Sequence, residues 1–304
     1  MLLAVGFALI AAFLFAGSAS IQQVAAKQTV TELPRPPRSE PLRRSSVLLG
    51  LWRLLGLLVR RPLWLIGWST NLIGFGVQAL ALHFGSVALV QPVLVTQLLF
   101  AIPLAAAWQR RRPKRRDWAA ALLICAGLVV FLSVRGVVPA EGEADRIRLI
   151  WACLAAAAGV AAVLIGCVRV SRLVRAMLLA VAAGLCFAVS AAMIKLTTED
   201  LLYAGVAATA RDWPGYALAV ATLGGLLLEQ GAFAGGSLPS AVAAMSITNP
   251  VASYLIGVLA FGVAFPHGAP ALAGLAGAAT LIGIGAVGLA HSPLVLSDDR
   301  RAYA

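Results

Sequence analysis

Residues 88–99 read ALVQPVLVTQLL, so that Gln91 and Pro92 stand side by side in a run otherwise suited to the middle of a membrane. Proline has no amide proton, and its ring displaces the carbonyl four residues earlier, which here belongs to Ala88. A freed carbonyl within a bilayer needs a hydrogen-bond partner or access to water. The stretch therefore predicts a membrane-spanning helix that is opened and polar at this point.

A second stretch repeats this pattern later in the chain. Residues 244–255 read AMSITNPVASYL, in which Asn249 precedes Pro250 and the displaced carbonyl belongs to Ser246. In both places the amide side chain beside the proline can supply a hydrogen bond or, with the freed carbonyl, take part in a ligand site. The occurrence of the pattern in both halves of the chain favours a shared role.

Composition assigns the chain to the membrane proteins. Of its 304 residues, 61% are hydrophobic and 12% are charged, against about 25% charged residues in soluble domains, and its mean hydropathy is +0.92. Apolar runs of about 20 residues recur along the chain, and each can cross a hydrocarbon core of roughly 30 Å. The four cysteines lie inside these runs, which predicts small buried side chains rather than a metal or redox site.

The expected fold is an all-α polytopic membrane protein with nine transmembrane helices. The N-terminal segment lacks a basic leader and predicts a retained span rather than a cleaved signal. Residues 45–61 are too short to span comfortably and predict an amphipathic helix in the interface, with a half-length tenth span as the alternative. The nine predicted spans are residues 2–26, 62–83, 85–108, 117–135, 149–168, 173–196, 213–233, 238–262 and 270–290.

The basic residues predict the orientation. Segments 27–61, 109–116, 169–175 and the tail contain 8, 6, 3 and 2 Lys and Arg residues, which makes 19 of 24. Because cytoplasmic loops are enriched in Lys and Arg, these segments and the C-terminus are expected on the cytoplasmic side of the plasma membrane. The net charge of +12 thus reflects orientation rather than nucleic-acid binding. Nine spans leave the N-terminus outside, and ten bring it inside.

The two halves of the chain resemble each other. Residues 15–23 (FAGSASIQQ) match residues 187–195 (FAVSAAMIK) at Phe, Ala, Ser and Ala, and each half then has a glutamine, Gln78 or Gln230, before its amide–proline pair. Since the first span corresponds to the sixth, the two copies would have opposite orientations, as in secondary transporters whose sites lie between inverted repeats. The predicted organisation is a first repeat at 1–135, a connecting loop and linking span at 136–172, a second repeat at 173–291 and a cytoplasmic tail at 292–304.

Polar and small residues form stripes on several predicted helices. In the second span, Asn71 and Gln78 share one helical face with two glycines. One such stripe is explained by helix packing, because small residues allow close approach and amides hydrogen-bond between helices. Stripes on equivalent helices of both repeats favour a lined cavity instead. The predicted substrate-binding residues are Ser18, Gln22, Asn71, Gln78, Gln91, Pro92, Glu229, Gln230, Ser246, Asn249, Pro250 and Ser253.

Glu229 is the one carboxylate inside a predicted span, because the other acidic residues fall in loops, tails or span ends. An acid within the membrane is costly and marks a candidate functional site. Glu229 also lies 16 residues after Trp213, which leaves a position near the cytoplasmic interface as the alternative.

At these residues the chain resembles the drug/metabolite transporter superfamily, in its EamA-like and NIPA-like branch. Residues 71–104 (NLIGFGVQALALHFGSVALVQPVLVTQLLFAIPL) are similar to that family's paired helices with an amide–proline break, and residues 228–262 (LEQGAFAGGSLPSAVAAMSITNPVASYLIGVLAFG) to their second-repeat counterpart. Residues 115–132 (RRDWAAALLICAGLVVFL) and 272–289 (LAGLAGAATLIGIGAVGL) resemble the helices that close the repeats.

This resemblance covers nearly the whole chain and implies a fold and a transport class rather than a substrate. Many family members carry Gly-Glu-Arg after the proline helices, where this chain reads AAAWQRRR (105–112) and AFGVAFPH (260–267). The chain therefore functions without that glutamate.

The leading hypothesis for function is a secondary transporter that moves a small organic solute by alternating access. The alternative is a transporter of magnesium or another divalent cation, which the NIPA resemblance implies, although Mg²⁺ favours carboxylate oxygens. A membrane enzyme would need clustered His, Asp or Cys, and a non-transporting interaction protein is the remaining hypothesis. The expected partners are a small-molecule or ion substrate, the lipid bilayer and, as one alternative, a second copy in a homodimer, with no nucleic acid, cofactor or metal.

Overall fold

A computed structural model of the chain shows twelve helices within the residues that it describes. It describes residues 2–32, 44–84, 87–110, 112–134, 145–167, 170–203, 205–260 and 268–292, and no strand occurs within these ranges. The helices are α1 (Leu2–Glu32), α2 (Arg44–Leu58), α3 (Pro62–Phe84), α4 (Val87–Leu94), α5 (Gln97–Gln109), α6 (Arg115–Ser133), α7 (Arg146–Gly166), α8 (Arg172–Tyr203), α9 (Val206–Thr209), α10 (Trp213–Gly235), α11 (Leu238–Ala260) and α12 (Ala269–Ala290).

Seven helices in the described part of the chain are long and apolar enough to cross a membrane: α1, α6, α7, α8, α10, α11 and α12. Each coincides with one of the predicted spans to within a few residues, although α1 and α8 extend beyond their predicted ends. The span predicted at 62–83 is the 23-residue helix α3. The tail predicted at 292–304 lies outside the described residues, apart from Ser292.

The span predicted at 85–108, which the sequence predicts to be opened at Gln91–Pro92, is divided into α4 and α5. The division lies at Val95–Thr96, three residues after Pro92. At this point Thr96 donates its amide to the Val93 carbonyl over 3.0 Å, and its hydroxyl donates to the same oxygen over 2.6 Å. A tight turn thus replaces one turn of α-helix. By contrast, α11 continues through Pro250.

Helices α1 and α3 pack closely and run antiparallel. A Cβ atom built on Gly67 would lie 2.8 Å from Gln22 Cγ, and one on Gly74 would lie 2.8 Å from Phe15 Cε1. From Gly67 to Gly74 along α3, the contacts therefore move backwards along α1 from Gln22 to Phe15, which shows that the two helices run in opposite directions. Because these distances are shorter than normal carbon contacts, a larger residue at either position would force Gln22 or Phe15, or the helices themselves, to shift.

Helices α8 and α10 repeat this contact in the second half of the chain. A Cβ atom built on Gly225 would lie 2.7 Å from Phe187 Cε1, which matches the approach of Gly74 to Phe15 in the first half. The two phenylalanines are 172 residues apart, and the two glycines are 151 residues apart. The same side chains therefore form the same contact in each helix pair.

Helices α6 and α12 meet through a reciprocal contact. A Cβ atom on Gly127 would lie 2.7 Å from Ile282 Cγ1 and 2.9 Å from the carbonyl oxygen of Ala278. A Cβ atom on Gly285 would lie 2.7 Å from Ile124 Cγ1 and 2.7 Å from the carbonyl oxygen of Ala120. In each of the three corresponding pairs (Gly127 and Gly285, Ala120 and Ala278, Ile124 and Ile282), the residues are 158 positions apart.

Helix α2 packs against both α1 and α10. Its buried residues, Leu51, Leu54, Leu55 and Leu58, recur at the spacing of one helical face. Leu51 Cδ2 lies against Gly231 of α10 and occupies the space that a Cβ atom at this position would need. Trp52 and Arg53 lie on the exposed face. The predicted amphipathic pattern is therefore present, and its apolar face joins the main hydrophobic core.

Candidate functional site

Four buried side chains from three helices form a chain of hydrogen bonds. The Trp64 indole of α3 donates to Gln230 Oε1 of α10 over 3.0 Å, and Gln230 Nε2 donates to Gln22 Oε1 of α1 over 2.7 Å. Gln22 Nε2 then donates to Ser18 Oγ over 2.8 Å. The exposed fractions of Ser18, Gln22 and Gln230 are 1%, 4% and 0%.

This chain brings together three residues that the sequence places in the candidate site. Each of the two amides uses its oxygen as an acceptor and its nitrogen as a donor, so the buried polar groups satisfy one another. Close to them, Gln23 Nε2 donates to the Gly236 carbonyl over 2.8 Å, which joins α1 to the end of α10. These contacts hold the two halves of the chain together.

The two proline-containing segments also meet each other. Gln97, the first residue of α5, donates from Nε2 to Ser246 Oγ of α11 over 3.0 Å. The neighbouring Val95 carbonyl, at the break between α4 and α5, accepts a bond of 3.6 Å from the buried thiol of Cys125 on α6. The Val95 carbonyl, which also accepts from the Leu98 amide over 3.2 Å, thus links the break to the adjacent helix α6.

The remaining residues of the α11 stripe lie one turn further along. Ser253 donates to Asn249 Oδ1 over 3.3 Å, and both side chains are half-buried, as is Pro250. In the first half, Pro92 is half-buried within α4, whereas the side chain of Gln91 lies outside the described residues.

The stripe on α3 separates into two kinds of residue. Its glycines, Gly67 and Gly74, allow α1 to approach, which agrees with the packing interpretation. Asn71 and Gln78 are half-buried, and neither forms a hydrogen bond with another side chain in the described ranges. Their amide groups are therefore available to form hydrogen bonds.

Glu229 is half-buried on α10, next to the fully buried Gln230. Within the described part of the chain, no hydrogen bond or ion pair satisfies its carboxylate. The position that corresponds to Glu229 in the first half is Gln78, because Gly74 and Gly225 make the same contact and both residues follow these glycines by four positions. The comparison of the two halves by sequence alone paired Gln78 with Gln230, which is the residue after Glu229.

An ionic cluster joins three helices on the side opposite the basic segments. Arg146 at the start of α7 contacts Asp212 over 2.5 Å and Asp200 over 3.0 Å. The hydrogen bond from Arg146 holds the pKa of the Asp212 carboxyl below its ordinary value. Asp212 also accepts from the Trp213 amide over 2.8 Å and thereby caps α10.

An apolar cavity of about 520 Å³ opens between α7, α8 and α10. Leu154, Val160, Val189 and Val220 are among the residues that line it. Because its lining offers few polar groups, this cavity lacks the contacts by which a polar solute is oriented.

The sequence did not single out three of the residues in these contacts. Gln97 lies in the opening stretch, five residues after Pro92, and its amide was a signal as strong as that of Gln91. Trp64 carries an indole N–H that needs a partner once it is buried. Gln23 follows Gln22 directly, but only the direction of α1 relative to α10 shows which partner each amide finds.

Long apolar helices and buried interhelical amide bonds define a polytopic helical membrane protein. The chain is 29% identical to an uncharacterized protein of Corynebacterium glutamicum over 266 residues, which are 87% of this chain and 86% of that protein. No family model and no solved structure matches the chain.

Proposed function

We propose that the protein is a secondary transporter that moves a small organic solute across the plasma membrane by alternating access between two inverted repeats. The proposal includes membership in the drug/metabolite transporter superfamily, in its EamA-like or NIPA-like branch, and no enzymatic role. The observation that carries it is the reciprocal contact of α6 with α12. Gly127 approaches Ile282 in the way that Gly285 approaches Ile124, as a two-fold axis between related helices requires.

The helix directions support the inverted arrangement. Because α6 and α12 are antiparallel, an axis that exchanges them lies in the membrane plane, which is the symmetry of inverted repeats. The matched contacts of α1 with α3 and of α8 with α10 extend the same relation to the first two helices of each repeat.

The antiparallel packing of α1 and α3 also favours nine spans over ten. If α2 crossed the membrane, α1 and α3 would run in the same direction, whereas Gly67 meets Gln22 and Gly74 meets Phe15. We therefore propose that α2 makes no crossing, that the N-terminus is outside and that the C-terminus is cytoplasmic.

The proposed solute site uses the half-buried polar residues Asn71, Gln78, Asn249 and Ser253, with Glu229 as its one carboxylate. Amides and hydroxyls both donate and accept hydrogen bonds, which suits a neutral or zwitterionic organic solute. The divalent-cation alternative would place the ion on Glu229, with amide oxygens completing its coordination.

Transport into proteoliposomes tests the function. Metabolites that change in a deletion strain would be supplied in radiolabelled form, in parallel with a fluorescent assay of Mg²⁺ flux. Saturable uptake of an organic solute supports the proposal, and Mg²⁺ flux without such uptake selects the alternative. Liposomes that contain Asn249→Leu protein provide the matched control, since this change removes the amide but adds no charge.

Thiol accessibility tests the site itself. In protein whose four native cysteines are replaced by Ala or Ser, Asn71→Cys, Gln78→Cys and Asn249→Cys are expected to react with small polar thiol reagents. The solute found in the transport assay is expected to slow this reaction. Three inert positions would assign the stripes to helix packing and refute the proposed site.

A further inference from the structure

The contacts within each repeat are equivalent, but the contacts between the two repeats differ between the cytoplasmic and the outer ends of the helices. The cytoplasmic ends of α1 and α10 are held together by the bond from Gln230 to Gln22 and by the bond from Gln23 to the Gly236 carbonyl. Helix α2 packs across both helices at this end. Gln22 and Gln230 are both buried at this contact, with exposed fractions of 4% and 0%.

Symmetry would place an equivalent contact between the outer ends of α8 and α3. The offset of 172 residues relates Gln22 to Ile194, and the offset of 151 residues relates Gln230 to Ala79. Ile194 is 53% exposed, and Ala79 is exposed as well. In the part of the chain that the structure describes, α3 and α8 make no contact comparable to that between α1 and α10.

From this asymmetry we infer that the structure is the outward-facing state and that Gln22 and Gln230 form its cytoplasmic gate. In the inward-facing state the bond between them is broken, and Ile194 of α8 closes against Ala79 of α3 at the outer side. This inference rests on the proposed transport function, because a gate has meaning only if the two sides open in turn.

The chemistry of the two gates differs in a way that suits this exchange. The cytoplasmic gate is made by hydrogen bonds between neutral groups, each of which contributes a small net free energy in folded proteins. Its outer counterpart pairs the aliphatic side chains of Ile194 and Ala79, which close by packing alone. Neither contact contains a buried ion pair, so opening one side leaves no unpaired charge in the membrane.

The gate is tested by thiol labelling from each side of the membrane, in protein whose native cysteines are replaced. Ile194→Cys is expected to react with a membrane-impermeant maleimide added outside. Ala26→Cys lies one turn below Gln22 and is 0% exposed, so it is expected to react slowly with the same reagent added on the cytoplasmic side. The reverse pattern would overturn the assignment of the outward-facing state.

Gln230→Leu removes the bond to Gln22 across the gate and also the bond from Trp64. In the Ala26→Cys protein it is expected to raise the cytoplasmic labelling rate at least about two- to tenfold, the range for the loss of one net hydrogen bond. The double variant Gln22→Leu/Gln230→Leu should act in the same direction. It leaves neither gate amide buried without the other, although Trp64 loses its acceptor and Ser18 loses its donor. Gln28→Leu is the matched control, because Gln28 is exposed on the same helix, and it should leave the rate unchanged.

The outcomes separate the gate from the transport proposal. Faster labelling in the Leu variants supports the gate even if no tested solute is transported, in which case only the proposed function fails. Unchanged labelling in both folded variants overturns the gate, even if solute uptake into proteoliposomes is observed.

Discussion

Alanine at Gly127 or Gly285 is expected to destabilise the fold by similar amounts, because the two glycines occupy reciprocal positions in one interface. The added Cβ atom would lie 2.7 Å from an isoleucine Cγ1 and 2.9 Å or less from a backbone carbonyl oxygen in both cases. Since backbone atoms cannot rotate away, α6 and α12 would have to separate. Overpacking of this kind costs about 1–3 kcal/mol.

The helix propensity of alanine works against this cost by up to about 1 kcal/mol in a helix interior. Gly283→Ala measures that gain alone, because a Cβ atom there would have no neighbour within 4 Å on the same helix α12. Relative to Gly283→Ala, the two interface variants should therefore lose about 1–3 kcal/mol in free energy of unfolding, measured by SDS titration in mixed micelles.

Two results would refute this reasoning about α6 and α12. If Gly127→Ala and Gly285→Ala were as stable as Gly283→Ala, the two helices would not approach as closely as described. If only one of the two were destabilised, the contact would exist without the reciprocal symmetry on which the inverted repeat rests.

Three further predictions concern topology, pH and the prolines. A reporter active only in the cytoplasm should work after Ala304 and stay silent at residues 139–146, and activity at 139–146 would overturn the orientation. Asp212→Asn should lower the melting temperature of the protein in detergent at pH 7. The folded-state pKa of Asp212 is lowered, so its carboxylate stabilises the folded protein fully at pH values above the ordinary pKa of roughly 3.9. This stabilisation is lost as the pH falls through the folded-state pKa. A difference from the parent that does not shrink on acidification would assign the effect to the helix cap. Pro92→Ala and Pro250→Ala should yield protein with an unchanged size-exclusion profile but a reduced initial transport rate, and full rates in both would leave the prolines with a shaping role only.

The positions of the long helices were predictable from the sequence because bilayer thickness fixes the length of an apolar run. Helices α7 and α12 illustrate this: their ends lie within three residues of the predicted ends. In both, the apolar run is uninterrupted by proline beyond the first turn, so length alone determines the element. For such a segment, the length of the apolar run and the thickness of the membrane are enough to predict where the helix begins and ends.

The break in the first proline segment was predicted, but its position was not. The sequence identifies Pro92, whose missing amide weakens the helix. The helix ends two residues later, at Leu94, and Thr96 and Cys125 provide hydrogen bonds at the break that follows. The thiol comes from another helix, so its contribution depends on tertiary packing. Pro250, by contrast, remains inside a continuous helix despite the similar local sequence.

The pairing of amides across 208 residues was beyond sequence reasoning as well. Ser18 and Gln22 were correctly placed on one helical face, and Gln230 was recognised as a candidate. However, a single sequence gives no relative depth or rotation for α1 and α10, and these decide whether an amide faces a cavity or another amide. The registers of α3 and α10 likewise emerged only from the contacts of Gly74 and Gly225.

The polar residues of the spanning helices separate by burial into two groups, and this separation bears on how a single fold could both bind and gate. Gln22 and Gln230 are buried and bonded to each other, whereas Asn71, Gln78 and Asn249 are half-buried. An unpaired buried amide costs about 1–3 kcal/mol, so the first group is stable only while its partners face each other or water enters. The second group can exchange a water molecule for a solute at little cost. The second group lies on α3 and α11, whereas the first lies on α1 and α10. A solute that bound to the second group would therefore bias the first only by moving α3 or α11 relative to α1 and α10.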